Sequence, residues 1–255
     1  MEDVFSLELL NLRIRMRDFV LKILSLDPSK SGIKVLEQFW RKCFHEPYSV
    51  VRQLRGNGWS KTQNSLIQSH LLSGIGTYQN LILYMVDTFG WEVNGFLLDF
   101  LAARQYGFGS SSESAIKKAP VLDPLTEEPL DSAWVKGAVF RCLVWLGDLA
   151  RYLETDLSSN AVFTAASATR YYQLASGLNP HTGQPYNNLA MLAGDTNWGL
   201  DQLYLYLKCV CCKHATDNGQ ANLNRYVSFG FFTWVNILLN AQRGANYFWK
   251  IQDNT

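Results

Sequence analysis

Apolar positions recur every three or four residues along most of this chain, and that spacing predicts helix nearly throughout. Residues 62–89 carry the cleanest period: Ile67, Leu71, Ile75, Tyr78, Ile82, Met85 and Phe89. Gly74 and Gly76 interrupt it. Each costs about 1 kcal/mol relative to Ala in a helix interior, so both are expected to permit close helix approach. Residues 3–26 carry two stripes. Phe5, Leu9, Leu12, Met16, Phe19 and Ile23 make one, and Leu10, Ile14 and Leu21 the other. That helix is expected to meet neighbours on two faces, and Asp27-Pro28 ends it. A second helix covers 32–54, with Val35, Phe39, Cys43 and Val50 on its buried side and Pro47 kinking or dividing it. Arg55-Gly56-Asn57-Gly58 reads as a turn.

The second half continues in the same period. Residues 133–155 place Val139, Cys142, Leu143, Leu146, Leu149 and Leu153 inside. Further helices are predicted at 158–177, 184–194, 197–214 and 219–240, the last holding Phe229, Phe231, Phe232 and Trp234 around an interrupting Gly230. Residues 107–131 break the pattern with Gly107, Gly109, a Ser110-Ser111-Ser112 run and Pro120, Pro124 and Pro129, so a long mobile loop is expected there. No long strand can be placed. The fold class is all-α, built from antiparallel helical hairpins.

A degenerate repeat overlies these helices. The tetratricopeptide ladder alternates small and large residues so that crossing helices approach at the small ones. Leu146-Gly147 opens such a ladder, and Ala168, Tyr172, Ala175 and Pro180 close it. A second copy starts at Tyr186 with Leu189 and Ala190, and Tyr206 and Cys209 continue it.

Composition narrows the function classes. The chain has 255 residues, 47% apolar and 18% charged, with Lys plus Arg at 23 against 22 for Asp plus Glu. That balance gives no whole-surface case for nucleic acid. Residues 1–61 do hold 11 Lys or Arg against 7 Asp or Glu. Five cysteines, an odd number with two adjacent, fit free thiols in a reducing compartment. No apolar run is long enough to span a membrane. A cytoplasmic location, with the nucleus also open, is expected. Cys209, Cys211, Cys212 and His214 resemble a metal set by composition alone, but on a helix they point in different directions, so no metal and no cofactor is expected. No paired acids, Ser-His-Asp set or phosphate-cradling glycine loop stands out, and the chain does not read as an enzyme.

Several spaced blocks carry a family likeness: HLLSGIGTYQNLILYM at 70–85, LGDLARY at 146–152, and YYQLASGLNPHTGQPYNNLAMLAG at 171–194, with FWRKCF at 39–44. They resemble the 14-3-3-like domain of the telomere-elongation and SMG factors of nonsense-mediated mRNA decay. The resemblance covers residues 5–215. It implies a 14-3-3-like domain with degenerate tetratricopeptide repeats over 1–215, interrupted by the loop at 107–131, and the start of a helical-hairpin extension over 216–255. It further implies an adaptor that binds a phosphorylated peptide of the decay RNA helicase, pairs with a paralogue (the seventh SMG factor) and serves mRNA-degradation or phosphatase machinery through regions beyond this chain.

A phosphate site needs an Arg fork, a second cation and a further donor. By the resemblance, Arg151 and Tyr152 supply the first part. The second helix supplies the other, with His45 where related domains carry Lys, and Lys42 and Arg41 beside it. Asn187 and Asn188 match the groove region that holds a peptide backbone. Plainer readings stand beside these. Arg151 at spacing three can pair with Asp148 or Glu154 on its own helix, and Tyr152 can be core. The alternative function is a structural heterodimer subunit with a degraded phosphate pocket, using the second apolar faces of the helices at 3–26 and 197–214. Direct nucleic-acid binding through the basic N-terminal region with Trp40 and Trp59 has the least support, because both fit packing better than base stacking.

Overall fold

The structure, a computed structural model, describes residues 5–54, 58–89, 132–157, 165–196 and 199–228. The described residues are helical, with one isolated bridge between Thr182 and His214 and no strand. The helices are α1 (Leu7–Leu26), α2 (Pro28–Trp40), a π-turn (Arg41–His45), α3 (Glu46–Gln53), α4 (Lys61–Thr88), α5 (Ser132–Leu157), α6 (Ala166–Leu178), α7 (Gln184–Thr196) and α8 (Leu200–Cys211). A ninth, α9, covers 217–228. This is the all-α, 14-3-3 and tetratricopeptide-like architecture. The chain divides into two compact units, Met1–Asn179 and Pro180–Thr255. The loop expected at 107–131 and the aromatic cluster at 229–234 lie outside the described residues. Among the described residues no helix is long and apolar enough to cross a membrane.

In the first unit α1 packs on α2, α4 on α5, and α5 on α6, with α2 also reaching α5. Their shared core is aromatic. Tyr78 of α4 is fully buried among Phe39, Trp40, Phe44 and Trp145, with centroid distances of 5.4–6.0 Å. Trp40 also stacks on Trp145 at 5.7 Å. The α4 helix starts where Ser60 and Gln63 form a reciprocal capping box. Of the two glycines in α4, one answers the expectation of close approach. A Cβ on Gly74 would come within 2.9 Å of Leu149 and Phe44, whereas Gly76 faces open space.

The helix predicted at 32–54 is more interesting than a simple kink. It begins four residues earlier, at Pro28, which suits a first helical turn because its missing N–H is unneeded there. Pro47 cannot donate, and in an unbroken α-helix its ring would press on the carbonyl four residues back. The ladder widens just before it. Glu46 N–H donates to Arg41 O, five residues earlier, making the π-turn. One extra residue per turn shifts the helical phase by one. Upstream the buried set is Val35, Leu36, Phe39, Trp40 and Cys43, and downstream it is Phe44, Tyr48 and Val51. Val50, expected inside, is therefore 46% exposed.

The α5–α6 pair shows the small-to-large ladder directly. Ala168, Tyr172 and Ala175 are fully buried, and a Cβ on Gly147 would run into the Tyr172 ring. In the second unit α7 packs on α8. Tyr186, Ala190, Tyr206 and Cys209 are buried there, in phase with the second copy of the repeat.

Two helices keep apolar residues outside. On α1, Leu7, Leu10, Ile14 and Phe19 are 44–71% exposed, while Leu9, Val20 and Leu24 are buried. On α8, Leu200, Tyr204 and Leu207 are exposed at 85%, 60% and 44%.

Candidate functional site

Arg151 and Tyr152 sit near the C-terminal end of α5, and the environment of each differs from that of a bare surface residue. Arg151 Nη2 donates to Asp148 Oδ1 at 3.4 Å, and its Nε donates to the Tyr172 hydroxyl at 3.4 Å. Its guanidinium also lies over the Tyr152 ring, 4.6 Å from the centroid. The pairing of Arg151 with Asp148 is the plainer reading drawn from spacing three. The Arg151 side chain keeps 15% of its surface exposed.

The electrostatics are tight. Tyr172 donates its hydroxyl to Asp148 Oδ1 at 2.6 Å. Burial pushes the Asp148 carboxyl above its ordinary value, against the pull of Arg151, the Tyr172 hydroxyl and the His45 charge. Burial works against the Arg151 charge too, but Tyr172, Asp148 and Tyr152 outweigh it and hold the guanidinium charged beyond its usual range. Burial pushes the Tyr152 phenol up to about 12. Tyr152 is 7% exposed, so its ring is a core group as well as a platform for Arg151.

The second helix reaches this point through rings. Tyr48 of α3 stacks on Tyr152 at 4.4 Å with 21° between planes. One turn earlier His45 stacks on Trp40 at 5.7 Å, and Trp40 in turn stacks on Trp145 of α5. Two contacts therefore tie the π-turn and α3 to α5 on either side of Asp148. His45 is exposed, and its charge reaches Asp148. Lys42 and Arg41 are also exposed but engaged by Glu46. Lys42 Nζ lies 2.9 Å from Glu46 Oε2, and Arg41 Nε lies 3.5 Å from Oε1. Arg41 Nη2 also donates to Gln38 at 2.9 Å. The Lys42 hydrogen bond holds the Glu46 carboxyl below its ordinary value.

One cation escaped the sequence reading. Arg52 is exposed on α3, seven residues after His45 and four after Tyr48, and its charge acts on the Tyr152 phenol. A seven-residue step returns to the same helix face, so the spacing His45–Tyr48–Arg52 was available in the sequence.

Asn187 and Asn188 lie on α7 in the second unit, 7% and 8% exposed. Asn187 donates to Asn188 Oδ1 at 3.5 Å and accepts from Asn222 Nδ2 of α9 at 2.8 Å. Asn222 is a second residue the sequence reading missed. The cysteines of this unit diverge. Cys209 is buried with its sulfur 3.3 Å from Thr216 Oγ1, Cys211 is exposed, and the Cys212 sulfur lies 3.5 Å from the Pro180 carbonyl. Among the described residues no three His, Cys, Asp or Glu side chains gather to hold a metal.

In the first unit the Arg151–Tyr152 pair of α5 thus lies against α3 through the Tyr48–Tyr152 stack. Residues 34–155 match the family described as "Telomerase activating protein Est1", and residues 168–228 match "Est1 DNA/RNA binding domain". The "Nonsense-mediated mRNA decay factor SMG5" of Danio rerio is 30% identical over 231 residues, covering 88% of this chain and 19% of that protein. The Homo sapiens SMG5 is 30% identical over 232 residues, covering 88% and 21%. The SMG7 of Danio rerio is 26% identical over 225 residues, covering 85% and 17%. The chain thus spans about a fifth of the length of the curated relatives it matches. A chain of the structure described as "Crystal structure of Est1 and Cdc13" superposes with a TM-score of 0.61 at 15% identity, covering 83% of this chain and 40% of that one, a likeness of fold. This chain carries an SMG5-like 14-3-3-like domain of the EST1 family.

Proposed function

We propose that this domain is an adaptor in nonsense-mediated mRNA decay that binds a phosphorylated peptide of the pathway's RNA helicase. Arg151 is the phosphate-gripping fork, with His45 and Arg52 as the cations from the facing helix. The observation that carries this reading is the Tyr48–Tyr152 stack at 4.4 Å, which holds α3 against α5 at Arg151. A phosphoserine brings about −1.5 to −2 charge and three acceptor oxygens. Arg151, held cationic by its neighbours, would give that group a charge-assisted bond beside the one it gives Asp148.

Titration calorimetry with matched phosphorylated and unphosphorylated helicase peptides tests the reading. The phosphopeptide binds in the micromolar range, and Arg151→Glu abolishes binding without loss of helicity. Equal affinity for the two peptides removes phosphate recognition from the function.

A second reading, pairing with an SMG7-like paralogue, is supported by the exposed Leu7, Leu10, Ile14 and Phe19 of α1. Such a stripe on a stable helix fits a partner surface. In that case Arg151 is retired to its bond with Asp148, and the domain is a heterodimer scaffold. Sedimentation distinguishes the two, since pairing survives Arg151→Glu and fails when Leu10 and Ile14 become Glu. Nucleic-acid binding, suggested by the likeness of residues 168–228 to the "Est1 DNA/RNA binding domain", has weaker support. Residues 180–228 hold Lys208, Lys213 and Arg225 against Asp195, Asp201 and Asp217. Lys208 is itself drawn over the Tyr186 and Tyr204 rings.

A further inference from the structure

The π-turn has a buried side as well as the exposed one that carries Arg41, Lys42 and His45. Cys43 and Phe44 point inward, at 0% and 1% exposure. The Phe44 carbonyl meets a side chain from α4: His70 Nε2 lies 3.2 Å from Phe44 O. His70 is 2% exposed. On its other edge, Nδ1 lies 2.8 Å from Arg13 Nη2 of α1. A guanidinium only donates, so Nδ1 accepts. The ring proton must therefore sit on Nε2, and Nε2 donates to Phe44 O. Arg13 is further fixed by its place over the Phe44 ring, 5.5 Å from the centroid, and by its bond to Ser73. Burial first, and the Arg13 charge second, push the His70 imidazole down to about 3, so the neutral form is the resident one.

The consequence lies one peptide further on. A peptide bond is planar, so the Phe44 carbonyl and the His45 N–H and Cα move as one plate. A π-turn is a loosened stretch of helix whose hydrogen-bond ladder is in transit between registers, and Pro47 supplies no donor to tighten it. A donor from outside the helix is then what decides the tilt of that plate. The direction in which the His45 side chain leaves the helix follows from it, and so does its place on Trp40 and beside Asp148.

We propose that His70 is a positioning residue: through the Phe44 carbonyl it sets the Phe44–His45 peptide plane, and with it the stance of His45 in the phosphate site. The link to affinity rests on the phosphopeptide reading above, whereas the stance of His45 can be read without any ligand.

The test uses the whole chain, nitrogen-detected NMR of its histidines, and calorimetry. The parent shows His70 with a protonated Nε2 and an accepting Nδ1. The His45 ring protons carry a ring-current shift from Trp40. His70→Gln places an amide donor near the former Nε2, and it keeps both that shift and the phosphopeptide affinity within about threefold of the parent. His70→Leu keeps the bulk but not the donor; it loses the His45 shift and weakens the phosphopeptide by about tenfold or more. Should His70→Leu not fold, Arg13→Met serves: freeing Nδ1 lets the other tautomer appear, and the His45 shift shrinks with it. The proposal is overturned by a parent His70 protonated on Nδ1, or by a folded His70→Leu or Arg13→Met protein whose His45 resonances stand unchanged. If the parent reads no phosphate, the adaptor reading fails, and the His45 shift alone decides the positioning role.

Discussion

Tyr172 on α6 hydrogen-bonds Asp148 on α5 at 2.6 Å, with its ring laid against Gly147, the residue beside that carboxyl. The repeat ladder and the candidate phosphate site are therefore one arrangement. The small residue that lets α6 approach also brings the hydroxyl that orients the carboxyl holding Arg151. Tyr172→Phe keeps the ring and removes the donor. Losing one hydrogen bond to a buried charged group costs about 1.5–3 kcal/mol. Urea unfolding is expected to register that loss. A Tyr172→Phe protein as stable as the parent would mean that the remaining partners of Asp148, Arg151 among them, satisfy the carboxyl.

The two glycines of α4 should respond in opposite directions to the same change. Gly76→Ala meets open space and relieves a helix-interior glycine, so it stabilises by about 0.5–1 kcal/mol. Gly74→Ala must displace Leu149 or Phe44, both about 1% exposed, and overpacking of this kind costs about 1–3 kcal/mol. Thermal melts of the two variants settle it. A stabilised Gly74→Ala would mean that the α4–α5 contact is looser than the packing implies.

That contrast also marks what the sequence disclosed and what it concealed. Periodicity located α4, α5 and the inner face of each, because a 3.6-residue repeat survives any tertiary context that buries one face. It could not tell Gly74 from Gly76, because which one meets a neighbour depends on the crossing point of two helices. It misplaced Val50 for a related reason. The phase slip at the π-turn comes from Pro47 acting on the ladder before it, and a fixed helical period has no place for an extra residue. Arg151 was legible as a candidate through its neighbours in LGDLARY, and so was its competing bond to Asp148. The partnership of His70 with Arg13 was not legible, because the two are 57 residues apart and nothing local pairs them.

Acid should expose His70. Its folded-state imidazole is pushed down to about 3 from an ordinary 6.5, so between those values the unfolded chain binds a proton that the folded one refuses. Stability then falls as pH drops below about 6.5, with a slope from this group of up to about 1.4 kcal/mol per pH unit. Above that range the group contributes no pH dependence. His70→Gln has nothing to protonate and should show a shallower acid arm between pH 6.5 and 4.5. Chemical denaturation at several pH values compares the two proteins. Identical acid arms would show that the imidazole takes up its proton without opening the fold.

Among the cations of the π-turn and α3, Arg52 is the one expected to matter for binding out of proportion to its effect on stability. It is exposed, and its charge falls on Tyr152. Surface substitutions away from buried networks usually change stability by less than about 0.5 kcal/mol, whereas a charge-assisted bond to phosphate contributes about 1.5–3 kcal/mol. Arg52→Ala should leave the melt nearly unmoved and weaken the phosphopeptide by about tenfold or more. Lys42→Ala should weaken it less, since the Arg52 charge falls on the Tyr152 beside Arg151 whereas Lys42 lies on Glu46 at 2.9 Å. Equal losses for the two variants would indicate a diffuse basic surface instead of a defined pocket, and a steep salt dependence would accompany them.

His45 is the histidine of the proposed phosphate site, and exchanging it for lysine is the sharpest measure of its part. An imidazole offers phosphate at most its two ring N–H groups, while a lysine ammonium brings three donors and a permanent charge. The stack on Trp40 does not forbid the exchange, because an ammonium on a four-carbon stem can lie over the same indole face. Asp148 stands close enough to attract the new charge, so part of the gain is spent on that carboxyl. The net expectation for His45→Lys at pH 7.5 is a phosphopeptide bound about tenfold more tightly, within the range of one added charge-assisted bond. The unphosphorylated peptide should be unaffected. If His45→Lys binds no better than the parent, the imidazole does not face the ligand, and the cation opposite Arg151 must be Arg52 alone.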